Sequence, residues 1–183
     1  MADSNFGKIQ VYTGQGKGKT TAALGLAVRA LGRNKKVTII YFNKGGDDYG
    51  ERKVLDNLIS ENFKYHVTGT KRFDSLTKKF RFGVNQNDKE EAERGLKIIE
   101  KIFSEGLIDL LILDEINPTI HLGMLDIGSF LQVLDRKPKF MEVILTGREA
   151  HPRIIERADL VTEMKLVKHY YYQGAKARAG IEY

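Results

Sequence analysis

Apolar residues along this chain follow two alternating patterns. Short runs rich in β-branched and aromatic residues predict strands: Ile9-Gln-Val-Tyr12, Val37-Thr-Ile-Ile-Tyr-Phe42, Leu110-Leu-Ile-Leu113, Met141-Glu-Val-Ile-Leu145 and Leu160-Val-Thr-Glu-Met164. Several show no polar alternation, which suits strands covered on both faces of a parallel sheet. Between the runs, apolar spacings of three or four over 20–31, 49–59, 88–103, 126–134 and 152–157 predict helices. Strand–helix alternation requires crossover connections, hence a layered α/β fold with helices on both faces of a mostly parallel sheet. Pro152 at a first helical turn and Gly32 after the first helix mark helix ends. Residues 68–87, with Lys71-Arg72-Phe73 and Lys78-Lys-Phe-Arg-Phe-Gly83, read as a long excursion off the sheet. Residues 168–183, rich in Tyr, Gly and Lys, end the chain without an obvious helix. With no repeat and no linker, residues 1–183 read as a single domain.

Composition narrows the chemistry. The chain has 183 residues, 42% of them hydrophobic, and three prolines, which argues against a disordered or fibrous chain. The absence of cysteine excludes a disulfide scaffold, a thiolate zinc site, an iron–sulfur cluster and a cysteine nucleophile together. His66, His121, His151 and His169 are too scattered in sequence to show the close pairing of a histidine metal site. The first residues lack a basic and apolar leader, and no apolar run approaches the length of a membrane span, so cytoplasmic localisation without membrane attachment is expected. A net charge of +6 permits an anionic partner. Basic residues are interleaved with acids, as in Asp88-Lys-Glu-Glu-Ala-Glu-Arg94, so no nucleic-acid stripe is evident.

The strongest chemical signal is Thr13-Gly-Gln-Gly-Lys-Gly-Lys-Thr20, placed after the first strand and before the first helix. Glycines allow a tight turn whose amides point inward, and the helix N-terminus adds its positive dipole end, so the loop reads as a phosphate cradle, against the alternative of a turn that merely reverses the chain. Lys19 is expected on phosphate oxygens and the Thr20 hydroxyl on a magnesium ion. Thr13 stands where this pattern usually begins with glycine. Lys17 reads either as a phosphate contact or as a solvated loop lysine. The run Leu110-Leu-Ile-Leu-Asp114-Glu115 ends a strand in two acids, the way a nucleotide-binding sheet offers a carboxylate to the metal, and together the two elements predict an Mg-ATP site. Arg148, in Thr146-Gly-Arg148 at another strand end, reads as a phosphate counter-charge or as a surface turn arginine. Arg29 lies ten residues after Lys19 on the first helix, and nothing in its spacing brings it to the nucleotide.

Several segments in register resemble the ATP:corrinoid adenosyltransferases of the phosphate-loop type. They are Thr13 through Ala23, Phe42-Asn-Lys-Gly45 with Gly50-Glu51, Leu113-Asp-Glu-Ile116, Ile144-Leu-Thr-Gly-Arg148, Ala158-Asp159, and Val167-Lys-His169 through Gly174-Ala-Lys-Ala177 to Gly180-Ile-Glu-Tyr183. The resemblance implies a P-loop NTPase fold of the RecA-like, three-layer kind. It implies that reduced Co(I) attacks the 5′ carbon of ATP, forms a cobalt–carbon bond and expels triphosphate. No protein nucleophile or general base is then required. Carried over by position, it assigns nucleotide binding to Gly14, Gln15, Gly16, Lys17, Gly18, Lys19, Thr20, Thr21 and Arg29, and places His169 at the cofactor site. Lys19, Thr20, Glu115 and Arg148 become the catalytic set, and Thr20, Glu115 and Asp114 the site for Mg2+ or Mn2+. Phe80 and Phe82 look like the aromatic segment below the corrinoid, although the family's tryptophan at the second position is Phe82 here; the alternative is two apolar residues of a core-packed strand. Cobalamin or cobinamide as substrate, a flavodoxin-like electron donor and a homodimer follow from the same resemblance. An ordinary phosphate-loop kinase or ATPase, a nucleic-acid-dependent RecA-like ATPase, and a protein that binds and delivers the cofactor unchanged stay open on the residues alone.

Overall fold

A computed structural model describes residues 6–46, 49–57, 61–71, 73–74, 79–81 and 83–182. The expected strands form at β1 (Ile9–Thr13), β2 (Val37–Phe42), β6 (Leu110–Asp114), β7 (Glu142–Thr146) and β8 (Leu160–Glu163). They are joined by β3 (Phe63–Thr68), where no strand was expected, in one parallel sheet of order β3-β2-β6-β7-β1-β8. The hidden strand has a physical cause. Phe63-Lys-Tyr-His-Val-Thr68 sits at the sheet edge with Lys64 exposed and Tyr65, His66 and Val67 half-buried, so it lacks the continuous apolar run of β2, all six of whose residues are buried.

Side-chain alternation along the central strands splits the core into two layers. Ile40, Phe42, Leu111, Leu113, Val143 and Leu145 face α3 (Gln86–Glu105), α4 (Ile116–His121), α5 (Ile127–Leu134) and α6 (Pro152–Ile155). Ile39, Tyr41, Leu110, Ile112 and Ile144 face α1 (Lys19–Leu31) and α2 (Gly50–Asn57). The result is the three-layer α/β architecture expected.

Helix ends follow local chemistry. α1 runs into Gly32 as C-cap. α3 begins two residues earlier than its apolar spacing suggests, because Asn85 and Asp88 form a reciprocal capping box, and it ends at Gly106 in the left-handed region. His151 caps α6 with Pro152 in its first turn. α4 was not expected: Pro118 lies inside it, where its missing N–H falls among donors that have no intrahelical partner anyway. The excursion between β3 and α3 contains a small antiparallel pair, β4 (Phe73–Asp74) with β5 (Lys79–Phe80), apart from the main sheet. In the tail the described backbone forms one short 3-10 helix, η1 (Tyr170–Gln173).

Gly95 is where α3 meets the sheet most closely. A Cβ there would lie 2.4 Å from Phe42 Cε1 and 2.9 Å from Thr68 Oγ1. Gly95→Ala is therefore expected to cost about 1–3 kcal/mol through overpacking. A urea titration reads this as a lower midpoint at unchanged slope, and an unchanged midpoint would show that the helix shifts freely on the sheet.

Candidate functional site

At the carboxyl end of β1 the chain turns through Gly14-Gln-Gly-Lys-Gly18 into α1. The glycines are required by approach as well as by conformation. Gly14 and Gly18 have φ of 94° and 111°, in the left-handed region. A Cβ on either Gly14 or Gly16 would come within 2.6 Å of the Met164 carbonyl oxygen. Gly16 N–H donates to that oxygen at 2.6 Å, so the loop is pressed against the chain just beyond β8.

Lys19, the first residue of α1, is 8% exposed and donates to the carbonyls of Gly14 (2.7 Å) and Gly16 (2.6 Å). Burial lowers its pKa, and Arg148 and Lys44 lower it further, against the opposing pull of Glu115 and Asp114. Its ammonium is thus short of anions and suited to meet phosphate. Thr20 faces Asp114, at the end of β6, and donates to Asp114 Oδ1 at 2.9 Å. Thr146, at the end of β7, donates to the same oxygen at 2.7 Å and accepts from the Glu115 backbone N–H at 3.0 Å.

Asp114 is 1% exposed, behind Thr20, whereas Glu115 lines the open cavity. Glu115 adopts φ 61° as the N-cap of α4, a left-handed turn that swings its side chain out of the strand direction. Burial pushes its carboxyl up; Lys44 offsets part of this, and Asp114 adds to it. Among the described residues no group of three His, Cys, Asp or Glu forms a ready-made metal cage. A hydroxyl and adjacent carboxylates nevertheless suit magnesium, a hard cation that keeps several waters and binds through one or two carboxylates plus substrate phosphates.

The cavity spans about 770 Å³ in front of the loop, in the range that takes small-molecule ligands. Gln15 through Thr21, Glu115, Arg148 and His169 line it together. Gly14 belongs to the loop through its carbonyl contact with Lys19. Arg29 is not brought to the cavity; it is exposed in the last turn of α1. His169 accepts from Tyr171 N–H through Nδ1, at 3.0 Å, and packs against the Tyr170 ring at a tilt of 54°. Phe82 lies outside the described residues, and for Phe80 only the backbone pairing with Phe73 is described. Between those two positions, Arg81 donates to both carboxylate oxygens of buried Asp88, at 2.8 and 2.7 Å, and so pins the segment to the first turn of α3.

Three further groups enter the site that single-residue pattern reading does not select. Lys44, two residues beyond β2, donates to Thr20 Oγ1 at 2.8 Å and to Asp114 Oδ2 at 2.6 Å. Arg52 on α2 lies between the rings of Tyr41 and Tyr49, 4.7 and 4.6 Å from their centroids, and donates to the carbonyls of Lys44 (2.5 Å) and Gly46 (2.6 Å). Glu182 accepts from Lys17 (2.9 Å), Tyr170 and Arg178 (3.1 Å), which closes the C-terminal tail over the loop. Lys17 therefore faces the tail carboxylate in this structure. The signal for Lys44 is its place after a strand neighbouring β6, which becomes visible only with the strand order.

A glycine loop between first strand and first helix, with acids on a strand separated from β1 by β7 alone, defines an α/β protein of RecA-like architecture. Residues 5–183 match the family described as ATP:corrinoid adenosyltransferase BtuR/CobO/CobP. The chain is similar to the corrinoid adenosyltransferase of Pseudomonas aeruginosa, 36% identical over all of this chain and 87% of that one. It is also similar to that of Escherichia coli K12, at 35% over all of this chain and 89% of the relative, and to corrinoid adenosyltransferase CobA of Salmonella typhimurium, at 34% over the same shares. The chain belongs to the ATP:corrinoid adenosyltransferase family.

The tail contact predicts its own pH behaviour. Hydrogen bonds from Arg178, Tyr170 and Lys17 hold the Glu182 carboxyl well below the usual carboxylate range. A depressed folded pKa means that the contact is fully present above about pH 4.5 and is lost as pH falls through the folded value. Amide exchange at 178–182, corrected for intrinsic rates, is expected to show constant protection from pH 5 to 8. Glu182→Gln should lose that protection throughout the range; equal protection in the variant would show that the tail is held by other contacts.

Proposed function

We propose that this protein transfers the 5′-deoxyadenosyl group of ATP to the Co(I) centre of a reduced corrinoid, cobalamin or cobinamide, in the making or salvage of adenosylcobalamin. The cobalt electron pair forms the Co–C5′ bond while the C5′–O bond breaks, and triphosphate leaves with the bonding electrons. The observation that carries this reading is the family match over residues 5–183, joined to a cavity in which loop amides, Lys19, Arg148 and Glu115 converge.

In this reading the chain's residues act mainly on the leaving group. The amides of the loop and the start of α1 face the triphosphate, where backbone donors stabilise developing charge without reorganisation. Lys19 leaves the Gly14 and Gly16 carbonyls for phosphate oxygens, and Arg148 adds a second cation. Thr21 stands at the cavity wall beside Thr20, and His169 borders the cavity from the tail side. Thr20 and Glu115, with Asp114 behind them, would hold Mg2+ or Mn2+. When bound, such an ion would supply positive charge to the leaving triphosphate. No proton has to be abstracted from a nucleophile, so the site needs no general base. Phe80 and Phe82 are assigned to the corrinoid face; Arg81, between them in sequence, pairs with Asp88.

Family resemblance extends the proposal to one domain acting as a homodimer in the cytoplasm, with a flavodoxin-like donor supplying the electron and no nucleic-acid partner. No helix among the described residues is long and apolar enough to cross a membrane.

An anaerobic assay with chemically reduced cob(I)alamin and Mg-ATP tests the proposal. Light-sensitive adenosylcobalamin with intact triphosphate is expected; ADP and phosphate without a cobalt–carbon bond would indicate a kinase or ATPase. Lys19→Ala should lower turnover by at least about 10²-fold. Chelation of the divalent ion should suppress it as well. Phe82→Ala should leave ATP affinity intact while impairing reduction of the corrinoid.

A further inference from the structure

Lys44 occupies a position that its sequence neighbours do not explain. Its ammonium lies 2.8 Å from Thr20 Oγ1, 2.6 Å from Asp114 Oδ2 and 3.7 Å from Glu115 Oε1. These oxygens belong to the three residues to which the proposed function gives the divalent cation. Thr20 uses its proton toward Asp114 Oδ1, so Lys44 engages the lone-pair side from which a metal would be ligated.

The placement is built from several elements. Arg52, held between the Tyr41 and Tyr49 rings, fixes the backbone carbonyls of Lys44 and Gly46, and the Lys44 ammonium also lies 5.8 Å from the Tyr49 ring centroid. Burial would lower the pKa of Lys44, but Asp114 and Glu115 outweigh it and keep the ammonium charged. A magnesium ion about 2.0–2.1 Å from Thr20 Oγ1 would lie less than about 5 Å from an ammonium 2.8 Å from the same oxygen, a separation at which a dication and an ammonium repel strongly even at an intermediate dielectric. The way out for the lysine is the cavity that it lines.

We propose that Lys44 is a resident cation that competes with the divalent metal for Thr20, Asp114 and Glu115, so that free metal ions are excluded and the metal enters only together with a triphosphate. The nucleotide supplies the negative charge that compensates the dication, and it receives the displaced ammonium. Lys44 thereby couples metal loading to nucleotide loading. This inference rests on the metal assignment made above and adds an order to it.

Protein-bound Mn2+, read by electron paramagnetic resonance and water-proton relaxation without corrinoid, tests it. Wild-type protein should bind Mn2+ weakly alone and at least tenfold more tightly at saturating ATP. Lys44→Met and Lys44→Gln should bind Mn2+ without nucleotide at least tenfold more tightly than wild type, and their ATP dependence should shrink. A merely structural lysine would give the opposite direction, weaker metal binding on its removal. Equal Mn2+ affinity of wild-type protein with and without ATP overturns the competition while sparing the metal site, whether or not the variants fold. No bound Mn2+ even with ATP overturns the metal assignment itself. A folded variant that binds Mn2+ no more tightly than wild type also overturns the proposal.

Discussion

The Asp114 carboxylate is the interaction on which the site's geometry depends. It is almost fully buried, and a buried carboxylate that loses a partner costs several kcal/mol. Its oxygens are met from three chain segments: Thr20 at the start of α1, Thr146 at the end of β7 and Lys44 beyond β2. Each stands at the carboxyl end of a parallel strand or just after it, where open α/β sheets collect ligands. The register that pairs Tyr41 with Asp114 brings the chain beyond β2 to that carboxylate. Satisfying one buried charge thus holds the phosphate loop, the neighbouring strand and the following turn in fixed relation. Glu115, one residue further, takes the left-handed turn that points it to the cavity.

Much of this architecture was legible in the chain because its central strands are covered on both sides. Val37-Thr-Ile-Ile-Tyr-Phe42 is buried at every position and carries no charge, and such a run is easily read. β3 was hidden because an edge strand can afford Lys64 and His66, and α4 because a helix of six residues containing Pro118 has no periodicity to find. The phosphate loop was legible because close contact with the Met164 carbonyl admits only glycine at Gly14 and Gly16. Lys44 and Arg52 were not. Their roles arise from β2 lying beside β6, which no local pattern encodes. Arg29, assigned by resemblance alone, stands apart from the cavity lining, since ten residues of helix put it about 15 Å along the axis from Lys19.

The phosphate loop and the C-terminal tail meet at the site. Lys17 and Glu182 are 165 residues apart in sequence and 2.9 Å apart in space. His169, Tyr170 and Arg178 arrange the tail so that its carboxylate reaches the loop. The tail buries little, and its order comes from charge and hydrogen bonds more than from apolar packing. It is therefore the part of the site most responsive to salt and to competing anions.

The loop also leans on β8. That strand is the sheet's outer edge, and all four of its residues are exposed, including Leu160 and Val161. Yet the carbonyl that receives Gly16 N–H belongs to Met164, directly after it. Local unfolding starts where little apolar surface is lost, and this edge is such a place. Fraying of β8 would loosen the Gly14–Gly16 side of the cradle while Asp114 kept Thr20 and the start of α1 in place. The part of the loop beside β8 would thus be softer than the core that gives the protein its fold, and a bound triphosphate would stiffen a boundary that the apolar core does not reach.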